Sequence, residues 1–141
     1  MTACGQSNFI SDFEPVTDGG NIRVVIEIPA GTTAKWEVTK PLGELEWEQL
    51  DGTNRVVDYL AYPANYGMIP RTVLPESTGG DGDPLDAIVI GPAIERGTVV
   101  EVKLIGVLWL VDNNERDDKL ITVSPGRFLY DVNSVADLEA A

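Results

Sequence analysis

The run TVVEVKLIGVLWLV, residues 98 to 111, constrains the fold more than any other stretch of this chain. It is apolar and rich in β-branched residues, so it fits one long bent strand or two strands hinged at Gly106. Shorter runs repeat the theme. In IRVVIEI, residues 22 to 28, Ile22, Val24, Ile26 and Ile28 share one face while Arg23, Val25 and Glu27 share the other. That period of two predicts a half-buried strand, ended by Pro29, with Glu27 pointing away from the Ile face. In KWEVT the same period sends Trp36 and Val38 inward and presents Lys35 and Glu37 side by side on the other face. ELEWEQ (44 to 49) and KLITVS (119 to 124) add further strands, and Trp36, Trp47 and Trp109 read as barrel core or interface.

Between these runs lie loops punctuated by Pro and Gly, notably YPANYGMIP at 62 to 70 and the Gly79-Gly80 step. Five or six short strands with long loops predict a mainly β fold with minor α, a small closed or nearly closed barrel that leaves no raw sheet edge. At 141 residues the chain fits one domain. Residues 1 to 21 are polar, Gly-rich and without period, so they read as a flexible leader, with the folded domain spanning 22 to 141. Ser134 and Asp137 form a capping-box signature, yet the chain ends at Ala141. Helices shorter than about 12 to 15 residues are marginal without tertiary packing, so this C-terminal helix reads as incomplete.

Composition then narrows the chemistry. The sequence has no histidine, and Cys4 is its one cysteine, which excludes Ser-His-Asp and Cys-His catalysis, zinc ribbons and internal disulfides. What remains is carboxylate, lysine, arginine and tyrosine chemistry, with the oxygen-preferring metals. A net charge of -13 repels nucleic acid and anionic lipid, so a polyanionic substrate needs cations as intermediaries. No apolar run approaches the roughly 18 to 20 residues of a membrane helix. Met1-Thr2-Ala3-Cys4-Gly5 looks like the end of a bacterial lipoprotein signal without its hydrophobic part, or else a polar leader with an incidental cysteine.

Two acidic segments stand out. GGDGDPLD carries Asp81, Asp83 and Asp86, and VDNNERDDKL carries Asp112, Asp117 and Asp118 before Lys119, each next to a predicted strand. Alone, the first reads equally as an Asp-Gly, Asp-Pro turn or as one wall of a metal site, and it lacks the spacing and terminal Glu of an EF-hand. The second alone reads as a solvated hairpin tip. Together, two acidic loops at strand ends are what a multi-metal site requires. Glu27 adds a carboxylate inside an apolar strand, costly unless something pairs with it. Lys35 and Lys119 read equally as exposed strand-end lysines, and Tyr62 and Tyr66 as core aromatics beside a proline turn.

VVIEIP at 24 to 29, KWE at 35 to 37, YPANYG at 62 to 67, GDGDPLD at 80 to 86 and VDNNERDDKL at 111 to 120 occur in the order of the soluble family I inorganic pyrophosphatases, and the chain resembles that family from about Ile22 to Leu138. The resemblance implies a five-stranded OB-like barrel with flanking helix remnants, and Mg²⁺-dependent hydrolysis of pyrophosphate, met as its magnesium complex, by a cytoplasmic homo-oligomer of hexameric type. An exported lipoprotein anchored at Cys4 is the alternative location. By similarity, Asp81, Asp86 and Asp117 are implied as ligands of the tightest Mg²⁺, with Asp86 bridging to a second ion. Asp112 and Asp117 are implied for a further ion, and Glu27 and Glu37 for contacts through metal-held waters. Asp83 is implied to accept a proton from the attacking water. Lys35, Arg55, Tyr66 and Lys119 are implied as the phosphate-binding set, and Tyr62 as a support for the aspartates.

The chain departs from the pattern in three places. Asn113 stands where the family has Glu, and Arg55 lies one residue closer to Tyr62-Pro63 than in some relatives. The family also continues into a long helix carrying a Tyr-Lys phosphate clamp, beyond the point where this sequence ends. From that follow two expectations, an exposed apolar barrel patch and weak or absent turnover. The alternative reading is a catalytically weak metal- or phosphate-binding remnant of the same fold.

Overall fold

The computed structural model describes residues 6–126, 129 and 131–141, so Cys4 and its anchoring alternative lie outside the described residues. In chain order the elements are β1 (Ile22–Ile28), β2 (Trp36–Val38), β3 (Leu45–Trp47), β4 (Gln49–Leu50), β5 (Thr53–Asn54) and β6 (Asn65–Met68), then β7 (Asp86–Ile90), β8 (Val99–Leu108), β9 (Val111–Asp112), β10 (Glu115–Arg116), β11 (Lys119–Val123) and α1 (Val135–Ala140). Five of them close into a barrel in the order β1-β6-β7-β11-β8, and the short strands pair off as hairpins.

The long run at 98 to 111 forms one bent strand. The first part of β8 pairs with β1 through Val99 to Val102, and the rest pairs with β11. Where Ile121 faces Gly106 and Thr122 faces Leu104, Ile105 is left over as a bulge, and the strand bends there to close the barrel.

Contrary to the half-buried expectation, β1 is buried on both faces. Ile22, Val24 and Ile26 point into the barrel with Ile69, Ala87, Val89 and Val102. Val25, on the other face, is covered by Val38 and Met68 with Phe9, Ile10 and Leu45 packed against them. Burying a Val or Ile side chain in this way contributes about 1.5 to 3 kcal/mol.

That second cluster also changes the reading of the N-terminus. Residues 8 to 16 lie against the barrel rather than hanging free: Phe9 N donates to Gly43 O at 2.9 Å, Arg71 Nε donates to Ser11 O at 2.8 Å, and Val16 bridges to Ile22. Turn capping and single aromatic contacts hold this stretch, and neither leaves a periodic trace in sequence.

The YPANYG segment, expected as loop, supplies barrel strand β6. Gly67 is required there, because a Cβ on it would lie 1.9 Å from Val25 O. Asn65 is fully buried, and its amide accepts from Ala30 N and Ile94 N while donating to Val89 O and Pro92 O. One side chain thus satisfies four backbone groups.

Ser134 caps α1, its Oγ accepting from Asp137 N at 3.1 Å, and the Asp137 carboxylate accepts in return from Asn133 N at 3.0 Å. Leu138 packs on the cluster of Val123, Leu129 and Val132. Trp36 stacks on Trp47 with ring centroids 5.7 Å apart, but Trp109 is 70% exposed and so is not barrel core.

Candidate active site

The parallel pairing of β7 with β11 decides where the chemistry collects. Lys119 faces Asp86 in that ladder, so both strands start at the same end of the barrel and the loops before them emerge side by side. A parallel bridge from Gly80 to Arg116 carries the contact into the loops themselves. Asp81, Asp83 and Asp86 come from the first loop, Asp112 and Asp117 from the second.

The first loop is wound tightly. Asp83 N donates to Asp81 Oδ1 at 2.9 Å, and Gly82 between them takes φ +78, a left-handed turn that glycine adopts without strain. Leu74 N donating to Asp83 O at 2.8 Å fixes the base of the loop. In the second loop β9 and β10 are joined by Asn113 (φ 47) and Asn114 (φ 67). Two successive left-handed residues make a type I′ turn, which asparagine tolerates far better than glutamate, so Asn113 has a local structural reason. Asp118 does not join its neighbours: it is 7% exposed and takes hydrogen bonds from Leu110 N and the Arg116 guanidinium.

Lys119 ties the two loops together. Its Nζ lies 2.5 Å from Asp86 Oδ2 and 2.5 Å from Asp117 Oδ1. Burial works against its ammonium, but the two carboxylates outweigh that and raise its pKa. Burial of the Tyr66 hydroxyl, followed by the nearby Asp86 charge, pushes its pKa up, so it stays protonated and neutral. Lys119 Nζ and Lys35 Nζ stand 5.7 and 5.6 Å from the Tyr66 ring centroid, and Tyr62 meets that ring edge-on at 5.4 Å.

Glu27 has the partner that its burial demands: Val38 N donates to its Oε1 at 2.7 Å. Burial nonetheless pushes its pKa up to about 8, with Asp86 adding to the shift. Glu37 is shifted upward too, by partial burial and the nearby Glu48. Arg55 Nη1 lies 2.7 Å from Glu48 Oε1, which raises the guanidinium pKa further. Backbone bonds hold this group in place: Lys35 N donates to Arg55 O, Glu48 N to Lys35 O, and Arg55 N to Glu48 O.

The twelve residues to which the resemblance gives roles line one cleft of about 870 Å³: Glu27, Lys35, Glu37, Arg55, Tyr62, Tyr66, Asp81, Asp83, Asp86, Asp112, Asp117 and Lys119. Two further charged residues line it that sequence reading passed over, Lys40 and Glu48. Nothing local distinguishes either from a hairpin's ordinary charged residues. Among the described residues no three carboxylates converge to enclose an ion unaided. Ammonium groups lie on the carboxylates instead, Lys119 on Asp86 and Asp117, and Lys40 on Asp83. Cations therefore suit these oxygens, and an all-oxygen donor set drawn from separate loops suits a hard divalent cation that keeps several waters.

A closed five-stranded barrel with a cleft lined by carboxylates, lysines and an arginine defines a class of small β-barrel proteins with a mixed acidic and cationic site. Within that class, the chain belongs to the inorganic pyrophosphatase family, whose family model, described as inorganic pyrophosphatase, matches residues 24–141. It is 39% identical over 134 residues to the inorganic pyrophosphatase of Gluconobacter oxydans (strain 621H), covering 92% of this chain and 72% of that protein. The inorganic pyrophosphatase of Ralstonia nicotianae is 38% identical over 117 residues, covering 79% of this chain and 61% of its own length. Among solved structures, the type I inorganic pyrophosphatase from P. falciparum superposes with a TM-score of 0.86 at 28% identity, over 94% of this chain and 47% of that one. The chain thus spans about half to three quarters of the length of these relatives.

Proposed function

We propose that this cleft hydrolyses inorganic pyrophosphate to two phosphates, with several Mg²⁺ ions as cofactor and the substrate arriving as its magnesium complex. The observation that carries the reading is the Lys119–Asp86 parallel register, which gathers two acidic loops and the cationic residues around one cavity.

Asp81, Asp86, Asp112 and Asp117 would hold the ions, with Glu27 and Glu37 acting through water. Bound there, Mg²⁺ neutralises the anion and acidifies water. Asp83 accepts the proton of the attacking water; its side chain is 57% exposed, against 25% for Asp86 and 27% for Asp117, so water reaches it. Lys35, Arg55 and Lys119 bind phosphate oxygens and stabilise charge on the leaving phosphate. Tyr66, kept neutral, donates from its hydroxyl, and Tyr62 braces its ring.

Phosphate release from pyrophosphate, with Mg²⁺ and with EDTA, tests the reading. Magnesium binding without turnover favours a catalytically weak remnant of the fold instead.

We further infer a cytoplasmic homo-oligomer, hexameric by resemblance. No described helix is long and apolar enough to cross a membrane. The exposed Trp109, Val111 and Leu108 give an assembly apolar surface to bury. Sedimentation of the purified chain reads the assembly state.

A further inference from the structure

Lys40 lies outside the set that the motifs single out, yet it lines the same cleft. It sits at the tip of the β2–β3 hairpin, where its ammonium pairs with the Asp83 carboxylate and donates to Gly82 O at 3.2 Å. A lysine on a loose tip would carry no argument, but this tip is held from two sides. Thr39 N donates to Glu44 O and Gly43 N to Thr39 O, both at 2.8 Å, closing the turn. From behind, Phe9 N donates to Gly43 O and the Asn8 amide reaches Pro41 O at 3.4 Å, so the N-terminal segment backs the hairpin. Its partner is also particular: Asp83 is the carboxylate assigned above to the attacking water.

We propose that Lys40 is a further phosphate-binding cation, which exchanges between the Asp83 carboxylate and an incoming phosphate oxygen. The proposal rests on the pyrophosphatase reading of the cleft. An ammonium and a divalent ion make opposed claims on the oxygens of one small loop, because each raises the local potential that repels the other. When cations gather at Asp81 and Asp86, the attraction of the loop for Lys40 falls. An anionic phosphate then offers the ammonium a stronger partner at the mouth of the same cavity. Lys40 also counters part of the carboxylate excess, since four cations face eight carboxylates among the described lining residues.

Calorimetry on the purified chain tests this with two titrants, Mg²⁺ alone and Mg²⁺ with imidodiphosphate, a pyrophosphate analogue that is not hydrolysed. Lys40→Gln is expected to bind Mg²⁺ alone about threefold more tightly, as an exposed competing charge is removed. The same variant is expected to bind the magnesium–analogue complex about tenfold more weakly, the loss of one charge-assisted contact. Lys40→Arg should restore analogue binding to within about threefold of the unaltered chain. Opposite movement of the two affinities is the signature, since a purely structural role would move both the same way. If Lys40→Gln leaves analogue binding unchanged, or weakens Mg²⁺ binding as well, the proposal is wrong and the pyrophosphatase reading stands. If the unaltered chain binds Mg²⁺ but not the analogue, the pyrophosphatase reading itself fails and Lys40 loses its ligand.

Discussion

Lys119 faces Asp86 across the parallel β7–β11 ladder, and its Nζ lies 2.5 Å from the carboxylates of both Asp86 and Asp117. One largely buried ammonium therefore holds together two loops that would otherwise repel.

Replacing it is expected to be costly. Breaking a buried ion pair by removing one partner costs about 3 to 5 kcal/mol, and the partial exposure of Asp86 and Asp117 puts Lys119→Met near the lower end. Urea unfolding in EDTA should show that loss. Added Mg²⁺ should recover much of it, because a divalent ion replaces the missing charge.

Glu27 makes stability depend on pH. Its folded pKa, raised from 4.5 to about 8 chiefly by burial, means that the folded protein holds this proton more tightly than the unfolded chain does. Its contribution to stability is complete below pH 4.5 and is lost as pH rises through about 8. At about 1.4 kcal/mol per unit, the loss reaches several kcal/mol. Glu27→Gln keeps an oxygen for Val38 N and removes the charge. In EDTA at pH 8 the variant should be more stable than the unaltered chain by about 2 to 4 kcal/mol, with the difference vanishing near pH 4. Urea midpoints across that range measure it.

Asn65 is predicted to matter without touching the chemistry. Asn65→Ala strands two buried N–H groups and two carbonyls, for a loss of about 2 to 4 kcal/mol. Thermal unfolding should shift down, while the KM of any surviving folded fraction stays near that of the unaltered chain.

How far the sequence carried these conclusions depends on what each feature leaves in the residues. Alternation marked β1, β2 and β3, because a strand facing a core writes its period into Ile22, Val24, Ile26 and their like, and apolar β-branched runs marked β8 and β11. It said nothing of β6, whose NYGM has no period and whose place is fixed by the close approach of Gly67 and the Asn65 network. Nor could it show that Val25 is covered from outside by Phe9 and Ile10, since that cover comes from contacts distant in sequence. The gathering of the twelve cleft residues was implied by the family resemblance, while their local patterns alone left turn, strand-end and core readings open. Lys40 and Glu48 were not legible, because a charged residue on a hairpin becomes part of a cleft only through topology. Asp118 misled in the other direction, since adjacency to Asp117 gives no sign that its carboxylate turns back on Arg116.

The most direct test of the whole account is phosphate release from pyrophosphate by the folded, Mg²⁺-loaded chain, beside the same chain in EDTA and beside Asp83→Asn. The account predicts release with Mg²⁺ and none in EDTA. It predicts a fall of about 10²- to 10⁴-fold in Asp83→Asn, with Mg²⁺ binding retained. A folded, Mg²⁺-loaded chain that releases no phosphate, or an Asp83→Asn variant as fast as the unaltered chain, would contradict it.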